Sequence, residues 1–221
     1  MEVSIETLFA LTLERSAYPG SLVGSIAESI GRAIIEGELY PGDDLNSVDL
    51  SKQFRTSRTP VREALMLLEK AGLVIIPPRR RPYVAQMSLI EVREIYQVRA
   101  HLHMLVSELI VAHASEAAIQ TLKESLARLE AAARAGDRDA YFWQSLSFRT
   151  TETEICGNQQ LRQTLDMLGL RTLQTRHRSL TSPGRLEQSY QDHIRLVLAY
   201  EERDAIPVSY THLRAHETGR N

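Results

Sequence analysis

The sequence predicts a mainly α-helical protein in which a small winged helical domain precedes a larger all-α bundle. Leu, Ala and Ile are frequent, while aromatic residues make up only 6% of the chain, which favours helices over a β-sandwich. Apolar residues recur at helical spacing over most of the chain. A two-stranded pattern occurs around the sequence PPRRRP at residues 77–82.

The pattern divides the 221 residues into four segments. We expect an N-terminal arm at residues 1–20, a winged helix-turn-helix at 21–86, a helical bundle at 87–205 and a tail at 206–221. The tail has no apolar stripe that continues the bundle, and it resembles a translated sequencing adapter. We therefore interpret the tail as non-native and the native C-terminus as lost, with a natural polar tail as the alternative.

The winged domain is predicted to begin with a helix at residues 22–36, which ends at Gly37. Its apolar residues recur at helical spacing: Val23, Ile26, Ile30 and Ile34. Tyr40-Pro41-Gly42 predicts a turn. Ser47 is expected to cap a short helix that reaches about Phe54, with Leu50 facing inwards.

The next helix carries an apolar stripe and a cationic edge. Ser57 or Thr59 is a suitable N-cap, and Pro60 suits the first helical turn because its missing N–H leaves no helical bond unmade. Gly72 predicts a left-handed end to the helix. The apolar stripe consists of Val61, Leu65 and Leu68.

Residues 73–76 and 83–85 are predicted to form the two strands of a wing. The whole chain has a net charge of −2, but residues 51–86 contain eight basic residues against two acidic ones, a balance of +6. Such a block is typical of a phosphate-binding module, although a solvated basic face is the alternative. The basic residues are Lys52, Arg55, Arg58, Arg62, Lys70, Arg79, Arg80 and Arg81.

In a helix-turn-helix the second helix enters the major groove, and its first turn meets the base edges. This geometry places Arg58, Thr59 and Arg62 at the bases, directly after Ser57. Lys52 and Arg55 precede the helix and are expected at phosphates. The alternative is a helical hairpin with surface arginines.

The chain from residue 88 onwards is predicted to form a bundle of five helices at 89–114, 116–135, 138–156, 159–180 and 185–203. The single cysteine, Cys156, excludes an internal disulfide and fits a reducing compartment. No apolar run approaches the roughly 20 residues of a membrane span, and the N-terminus does not resemble a signal peptide. We expect a cytoplasmic protein without a membrane partner.

The N-terminal pattern resembles the winged helix of the GntR family of bacterial transcription regulators. The resemblance is carried by Gly37, Pro41-Gly42, SRTPVREAL at 57–65 and Gly72-Leu73. It implies that Arg58, Thr59 and Arg62 contact double-stranded operator DNA, and that the wing tip with Arg79, Arg80 and Arg81 reaches the neighbouring minor groove. Two features depart from the family: the second helix has no early arginine, and Arg81 replaces a wing-tip glycine, which leaves the turn geometry open.

Residues 88–204 resemble the FCD type of effector domain, an all-α bundle, here without its last helix. EIYQVRAHL at 94–102 and SLSFRTTETEICGNQQL at 145–161 carry the resemblance. Family members commonly bind a divalent metal through an Asp and a His four residues apart and through two later histidines. Ser145 and Arg149 occupy the first two positions, so His193 is the only family ligand that remains. We predict no metal cofactor.

Arg149 places a fixed cation where the family places a metal, and a guanidinium binds a carboxylate through two hydrogen bonds. We therefore predict a small organic-acid effector bound by Arg99 and Arg149, with hydrogen bonds from Asn158 and His193. Two alternatives stay open. Arg149 could instead pair with a nearby acid such as Glu152, and Asn158 could simply cap a helix.

The predicted function is that of a homodimeric, sequence-specific DNA-binding transcriptional regulator, a repressor controlled by this effector. A dimer would present two recognition helices to a palindromic site. The sequence contains no recognisable nucleophile–base pair, so we do not expect an enzyme. The alternative is a truncated fragment that binds DNA or a protein partner but does not respond to an effector.

Overall fold

The computed structural model describes residues 21–204. Helices dominate this part of the chain, and the predicted mainly α-helical class is confirmed. The arm at 1–20 and the tail at 206–221 lie outside the described residues. The elements are α1 (Leu22–Glu36), α2 (Ser47–Gln53), α3 (Arg58–Lys70), β1 (Val74–Ile75), β2 (Tyr83–Val84), α4 (Leu89–His113), α5 (Glu116–Ala135), α6 (Arg138–Ile155), α7 (Gln159–Leu170), α8 (Leu173–Ser179) and α9 (Arg185–Glu201).

One helix prediction is wrong, because the pattern at 159–180 forms two helices, α7 and α8. The buried Thr172 hydroxyl donates to the carbonyl oxygen of Gly169 at 2.8 Å, and the Thr172 amide donates to the same oxygen at 3.0 Å. These bonds replace the regular helical pairing, a competition typical of threonine. The bundle region therefore contains six described helices instead of five.

The described residues form two compact units, and their boundary falls within α7. One unit contains residues 21–88 together with Asp166–Arg178. The other contains Leu89–Leu165 and residues 179–204. The sequence had assigned residues 166–178 to the bundle. Within the first unit, however, the Gln174 side chain donates to the carbonyl oxygen of Leu39 at 3.1 Å.

The core of the winged unit forms where α1 packs against α3. The predicted stripe of α3 is buried, with Val61, Leu65 and Leu68 at most 1% exposed. In α1 the three isoleucines of the predicted stripe are buried, whereas Val23 is only half-buried. Burial of each such side chain contributes about 1.5–3 kcal/mol. The short helix α2 is held more loosely: it contains no fully buried residue, and its Leu50 is half-buried. Asn46, and not Ser47, caps it by accepting from the Val48 amide at 3.0 Å.

The wing is an antiparallel pair in which Val74 lies opposite Val84 and Ile75 opposite Tyr83. A third segment borders it, because Asp44 forms a bridge with Tyr83 and Leu45 donates its amide to the Pro82 carbonyl at 2.7 Å. The pairing confirms the predicted wing and fixes its position after α3.

We expect Gly72→Ala to destabilise the protein more than Gly37→Ala. Both glycines have left-handed φ values, of 75° and 83°, which cost alanine roughly 1–2 kcal/mol. Only at Gly72 would a Cβ also meet a neighbour, the Arg171 Cγ at 2.8 Å, because nothing lies within 4 Å at Gly37. Urea unfolding of both variants measures the difference. Arg171→Ala should remove that difference, and an undiminished gap would contradict the proposed clash.

The bundle unit is organised so that α4 and α5 each contact both α6 and α9. Its core lies between these helices and includes Ile110, Leu122, Leu129, Tyr141, Phe148, Leu196 and Tyr200, all 0% exposed. The core also contains the buried Cys156 thiol, whose pKa is raised by burial. Among residues 21–204, no helix has the length and apolar character needed to cross a membrane.

Candidate DNA-binding surface and effector site

The N-terminus of α3 is open to an external partner. Ser57 occupies the N-cap position with extended backbone angles, but its side chain makes no capping hydrogen bond. The first amides of a helix lack partners within the helix and suit phosphate oxygens. Arg58, Thr59 and Arg62 are exposed around this end, and their side chains make no hydrogen bond or ion pair with any described residue.

The two arginines of α3 lie on the same side of the helix because they are four residues apart. The buried stripe of α3 holds the helix against α1, so Arg58 and Arg62 extend away from the core of the winged unit. Each guanidinium presents five N–H donors in a planar fork, the geometry that matches the O6 and N7 acceptors of guanine. This arrangement can read bases from a major groove.

The predicted phosphate contacts flank this helix. Lys52 is exposed and lies 4.0 Å from the Asp49 carboxylate, and both side chains are at least 70% exposed. Such a pair contributes little and competes weakly with a phosphate. Arg55 is exposed in the turn before α3 and has a left-handed φ of 51°. Non-glycine residues in this conformation are uncommon, and they concentrate at functional turns.

The three wing arginines are not equivalent. The Arg80 amide donates to the Pro77 carbonyl at 3.3 Å, and Arg79 has a φ of 61°. Residues 77–80 therefore form a type II turn, in which Pro78 is the second residue and Arg79, with its positive φ, is the third. The left-handed position therefore falls on Arg79 and not on Arg81. Arg81 instead pairs with Asp44 at 3.4 Å.

A side chain of α3 also braces the wing. The Glu69 carboxylate accepts the backbone amide of Ile76 at 3.0 Å, directly after β1. The wing is thus tied both to the 42–45 segment and to the last turn of α3.

The bundle interior contains two groups of polar side chains, which together we call the polar seam. Hydrogen bonds join Ser107, Tyr200, Glu152 and Arg149, and a ring contact joins Tyr141 and His193. At its centre the fully buried Glu152 accepts from the Arg149 guanidinium at 2.8 Å and from the Tyr200 hydroxyl at 2.7 Å. Ser107 lies 2.9 Å from that hydroxyl. Because the Tyr200 hydroxyl already donates its hydrogen to the Glu152 carboxylate, the Ser107 hydroxyl is the donor in its hydrogen bond with Tyr200. Burial, together with the nearby Glu152 charge, raises the pKa of Tyr200 well above its usual range.

His193 lies between two aromatic rings of α6. Its ring is 4.9 Å from that of Phe148 and 6.5 Å from that of Tyr141, both edge-to-face. Its Nδ1 lies 2.7 Å from the Ser189 carbonyl oxygen and donates to it, because a carbonyl oxygen only accepts. Burial raises the pKa of Tyr141 to about 12, against the lowering effects of Ser189, Arg149 and Arg185. The Tyr141 hydroxyl therefore stays protonated near neutral pH.

Arg99 lies further along the same interior. It is 6% exposed and donates to the Leu165 carbonyl at 2.9 Å. Its second terminal nitrogen lies 3.3 Å from Nε2 of His103, which must accept because a guanidinium only donates. His103 and Ser107 follow Arg99 at helical intervals of four. These three side chains form a buried polar stripe on α4.

The four predicted effector residues thus have different surroundings. His193 is in ring contact with Tyr141, whereas Arg99 bonds to α7. Arg149 pairs with Glu152, and the Asn158 side chain caps α7 by accepting from the Leu161 amide at 3.0 Å. These are the two structural alternatives that the sequence had left open. The binding roles of all four residues remain predictions.

The metal site implied by the family does not fit this chain. Ser145 donates its hydroxyl to the Phe142 carbonyl at 2.7 Å, and Arg149 cannot ligate a cation. Within residues 21–204, no three side chains of His, Cys, Asp or Glu come together in a way that could hold a metal ion. The two histidines that follow His193 in the sequence, His212 and His216, lie outside the described residues.

Sequence reasoning singled out neither Arg185 nor Tyr141 as a site residue. A signal was present in the spacing: Arg185, Ser189 and His193 follow each other at intervals of four on α9, as do Tyr141, Ser145 and Arg149 on α6. The contacts Tyr141–His193 and Glu152–Tyr200 show that these two faces meet.

Two family descriptions match the sequence. Residues 22–84 match "Bacterial regulatory proteins, gntR family", and residues 94–216 match the FCD domain. The FCD match covers more than half of the chain and overlaps the segment that begins at residue 206.

Individual relatives agree with these matches. The HTH-type transcriptional regulator YdhC of Bacillus subtilis is 35% identical over 108 residues, which cover 49% of this chain and 48% of YdhC. The HTH-type transcriptional repressor RspR of Escherichia coli is 26% identical over 195 residues, which cover 88% of this chain and 86% of RspR. The solved structure of E. coli McbR/YncC superposes with a TM-score of 0.75 at 22% identity, and the alignment covers 90% of this chain and 95% of that one.

Proposed function

Because the chain belongs to the GntR family of bacterial regulatory proteins and carries an FCD domain, we propose that it is a homodimeric, cytoplasmic transcriptional repressor whose operator binding is controlled by a small organic acid. The matched families and relatives are transcriptional regulators and not enzymes. The observation that carries the proposal is the exposed N-terminus of α3, where Arg58, Thr59 and Arg62 have no partner among the described residues.

The charge distribution supports DNA as the partner. Three arginines outside α3 are exposed: Arg55 in the turn before this helix, and Arg79 and Arg80 in the turn of the wing. None of them forms an ion pair with a described residue. Lys52 and Arg81 have exposed acidic partners that a phosphate can replace. Phosphate contacts set the register of the protein on the duplex, while α3 supplies the sequence preference.

The outer face of α4 supports a homodimer. Val98 and Leu105 are 51% and 40% exposed and lie seven residues apart on one helix face, although the opposite face of α4 is buried in the bundle. Exposed apolar residues in a row typically mark an interface. A second copy paired through this face would give the two-fold symmetry that a palindromic operator requires.

The polar seam supports a small-molecule effector. Polar side chains converge inside an otherwise apolar bundle, the usual composition of a ligand site. Arg149, Tyr141 and His193 are all within the seam, and Arg99 extends the polar surface along α4. An effector bound there would favour one arrangement of the bundle and thereby shift the population that binds DNA.

Selection from a library of random DNA duplexes tests the proposal. We expect the purified full chain to enrich a two-fold symmetric sequence, and the affinity for that sequence to fall steeply with added salt as phosphate counterions are released. RspR carries the name of a repressor, so a reporter placed behind the selected site should be silenced when the chain is expressed. Absence of any enriched sequence would contradict DNA recognition, and activation of the reporter would contradict repression.

A further inference from the structure

Arg185, on the face of α9 that also carries His193, has no counter-charge among residues 21–204, whereas Arg149 has one. Arg149 is neutralised by Glu152 at 2.8 Å, and Asp192 pairs with Arg195 at 3.3 Å while accepting from Gln188 at 3.0 Å. The Nη1 atom of Arg185 is buried and makes no hydrogen bond with any described residue. A guanidinium is always charged, so buried donors without an acceptor carry a desolvation cost.

A second buried donor lies at the same place. Tyr141 is 0% exposed, and its hydroxyl lies beside Ser189 but makes no hydrogen bond of standard geometry. The charge of Arg185 acts on this hydroxyl. Arg185 and Ser189 are four residues apart on α9, with His193 one further turn along, so all three share the face that meets Tyr141.

We infer that Arg185 and Tyr141 form an anion subsite that binds a carboxylate of the effector. The inference rests on the effector function proposed above and moves the main electrostatic contact from Arg149 to Arg185. A carboxylate accepts hydrogen bonds at both oxygens, and it can therefore satisfy the guanidinium and the phenol together. Arg149 then acts as a positioning residue, because its charge fixes the buried Glu152 and, through it, Tyr200.

Fluorescence titration tests the subsite. The full chain contains a single tryptophan, Trp143, two residues from Tyr141 and in ring contact with Phe142 at 5.1 Å. Sodium acetate, sodium succinate and sodium sulfate are titrated at constant ionic strength. We expect a saturable response to a carboxylate. Arg185→Gln should weaken it at least ~10-fold and Tyr141→Phe about 2- to 10-fold, the ranges for a charged and a neutral hydrogen bond.

The matched control is Arg128→Gln, which alters an exposed arginine of α5 and should leave the affinity unchanged. Arg185→Met separates binding from structure. Since it replaces an uncompensated charge by an apolar chain, it should raise Tm without anion and abolish the rise in Tm that a carboxylate produces in the wild type.

Three results would overturn the subsite: no saturable response of the wild type to acetate or succinate, equal affinities of the wild type and Arg185→Gln, or binding of sulfate alone. DNA affinity measured without anion should be the same in the wild type and Arg128→Gln, which alters an exposed arginine of α5. A loss of DNA binding in all variants, with the fluorescence response intact, would count against the proposed regulator function and not against the subsite.

Discussion

Replacement of both Arg58 and Arg62 by alanine should abolish specific operator binding. Each arginine that makes two hydrogen bonds to a guanine contributes about 1–3 kcal/mol of discrimination, so loss of both should weaken specific binding by roughly 30-fold to more than 10,000-fold. The side chains are exposed and have no partner among the described residues. We therefore expect the fold and the urea midpoint to be unchanged.

Equilibrium binding to the selected duplex and to a scrambled duplex measures this effect. The double variant should bind both duplexes with the same low affinity and should keep its salt dependence, because the wing and the turn before α3 still contact phosphates. Arg128→Ala, which alters an exposed arginine of α5, serves as the control and should bind normally. Retention of sequence preference in the double variant would refute the assignment of α3 as the recognition helix.

Replacement of Glu152 by alanine should lower the free energy of unfolding more than any of the substitutions named above. Glu152 is 0% exposed, and its removal leaves both the Arg149 guanidinium and the Tyr200 hydroxyl without their acceptor inside the bundle. Removal of one partner from a buried ion pair typically costs 3–5 kcal/mol. Because the Arg149 side chain is 19% exposed, water can reach it in part, so we expect about 3 kcal/mol.

Urea unfolding of single and double variants measures the coupling. Arg149→Ala combined with Glu152→Ala should lose less stability than the two single losses added together, since the pair then disappears as a whole. Glu152→Gln should be intermediate because its amide oxygen still accepts from Tyr200. Glu116→Gln, which alters a pair whose carboxylate is 91% exposed, should change stability by less than ~1 kcal/mol. Additive losses at 149 and 152 would show that the two charges are not coupled.

The winged unit could be predicted closely because its signals are short-range. Gly37 and Gly72 end helices through their own left-handed backbone, and the stripe of α3 repeats within three turns. The capping of α2 was assigned one residue too late because Asn46 and Ser47 are both good N-caps, and the choice depends on backbone angles. The break between α7 and α8 was missed because a buried Thr172 bond causes it.

The interior of the bundle was less accessible to sequence reasoning. The resemblance indicated Arg149 and His193. The structure places His193 in ring contact with Tyr141 and Arg149 in an ion pair with Glu152. Whether an arginine is neutralised depends on which acid the fold brings near it. The sequence could suggest Glu152 as a partner of Arg149, because the two residues are only three positions apart. The burial of the Arg185 Nη1 atom depends instead on long-range packing beside another helix. Asn158 lies within the segment at 145–161 that resembles the family, yet its side-chain oxygen accepts from the Leu161 amide and thereby caps α7.

The bond between Tyr200 and Glu152 has a consequence for genetics. Tyr200 is the penultimate residue of α9 and 0% exposed. The hydrogen bond that it donates to Glu152 on α6 therefore depends on a codon close to the end of the sequence that encodes α9. A premature stop codon at 199 or 200 should therefore behave like a core lesion, whereas a stop codon a few positions later would spare this anchor.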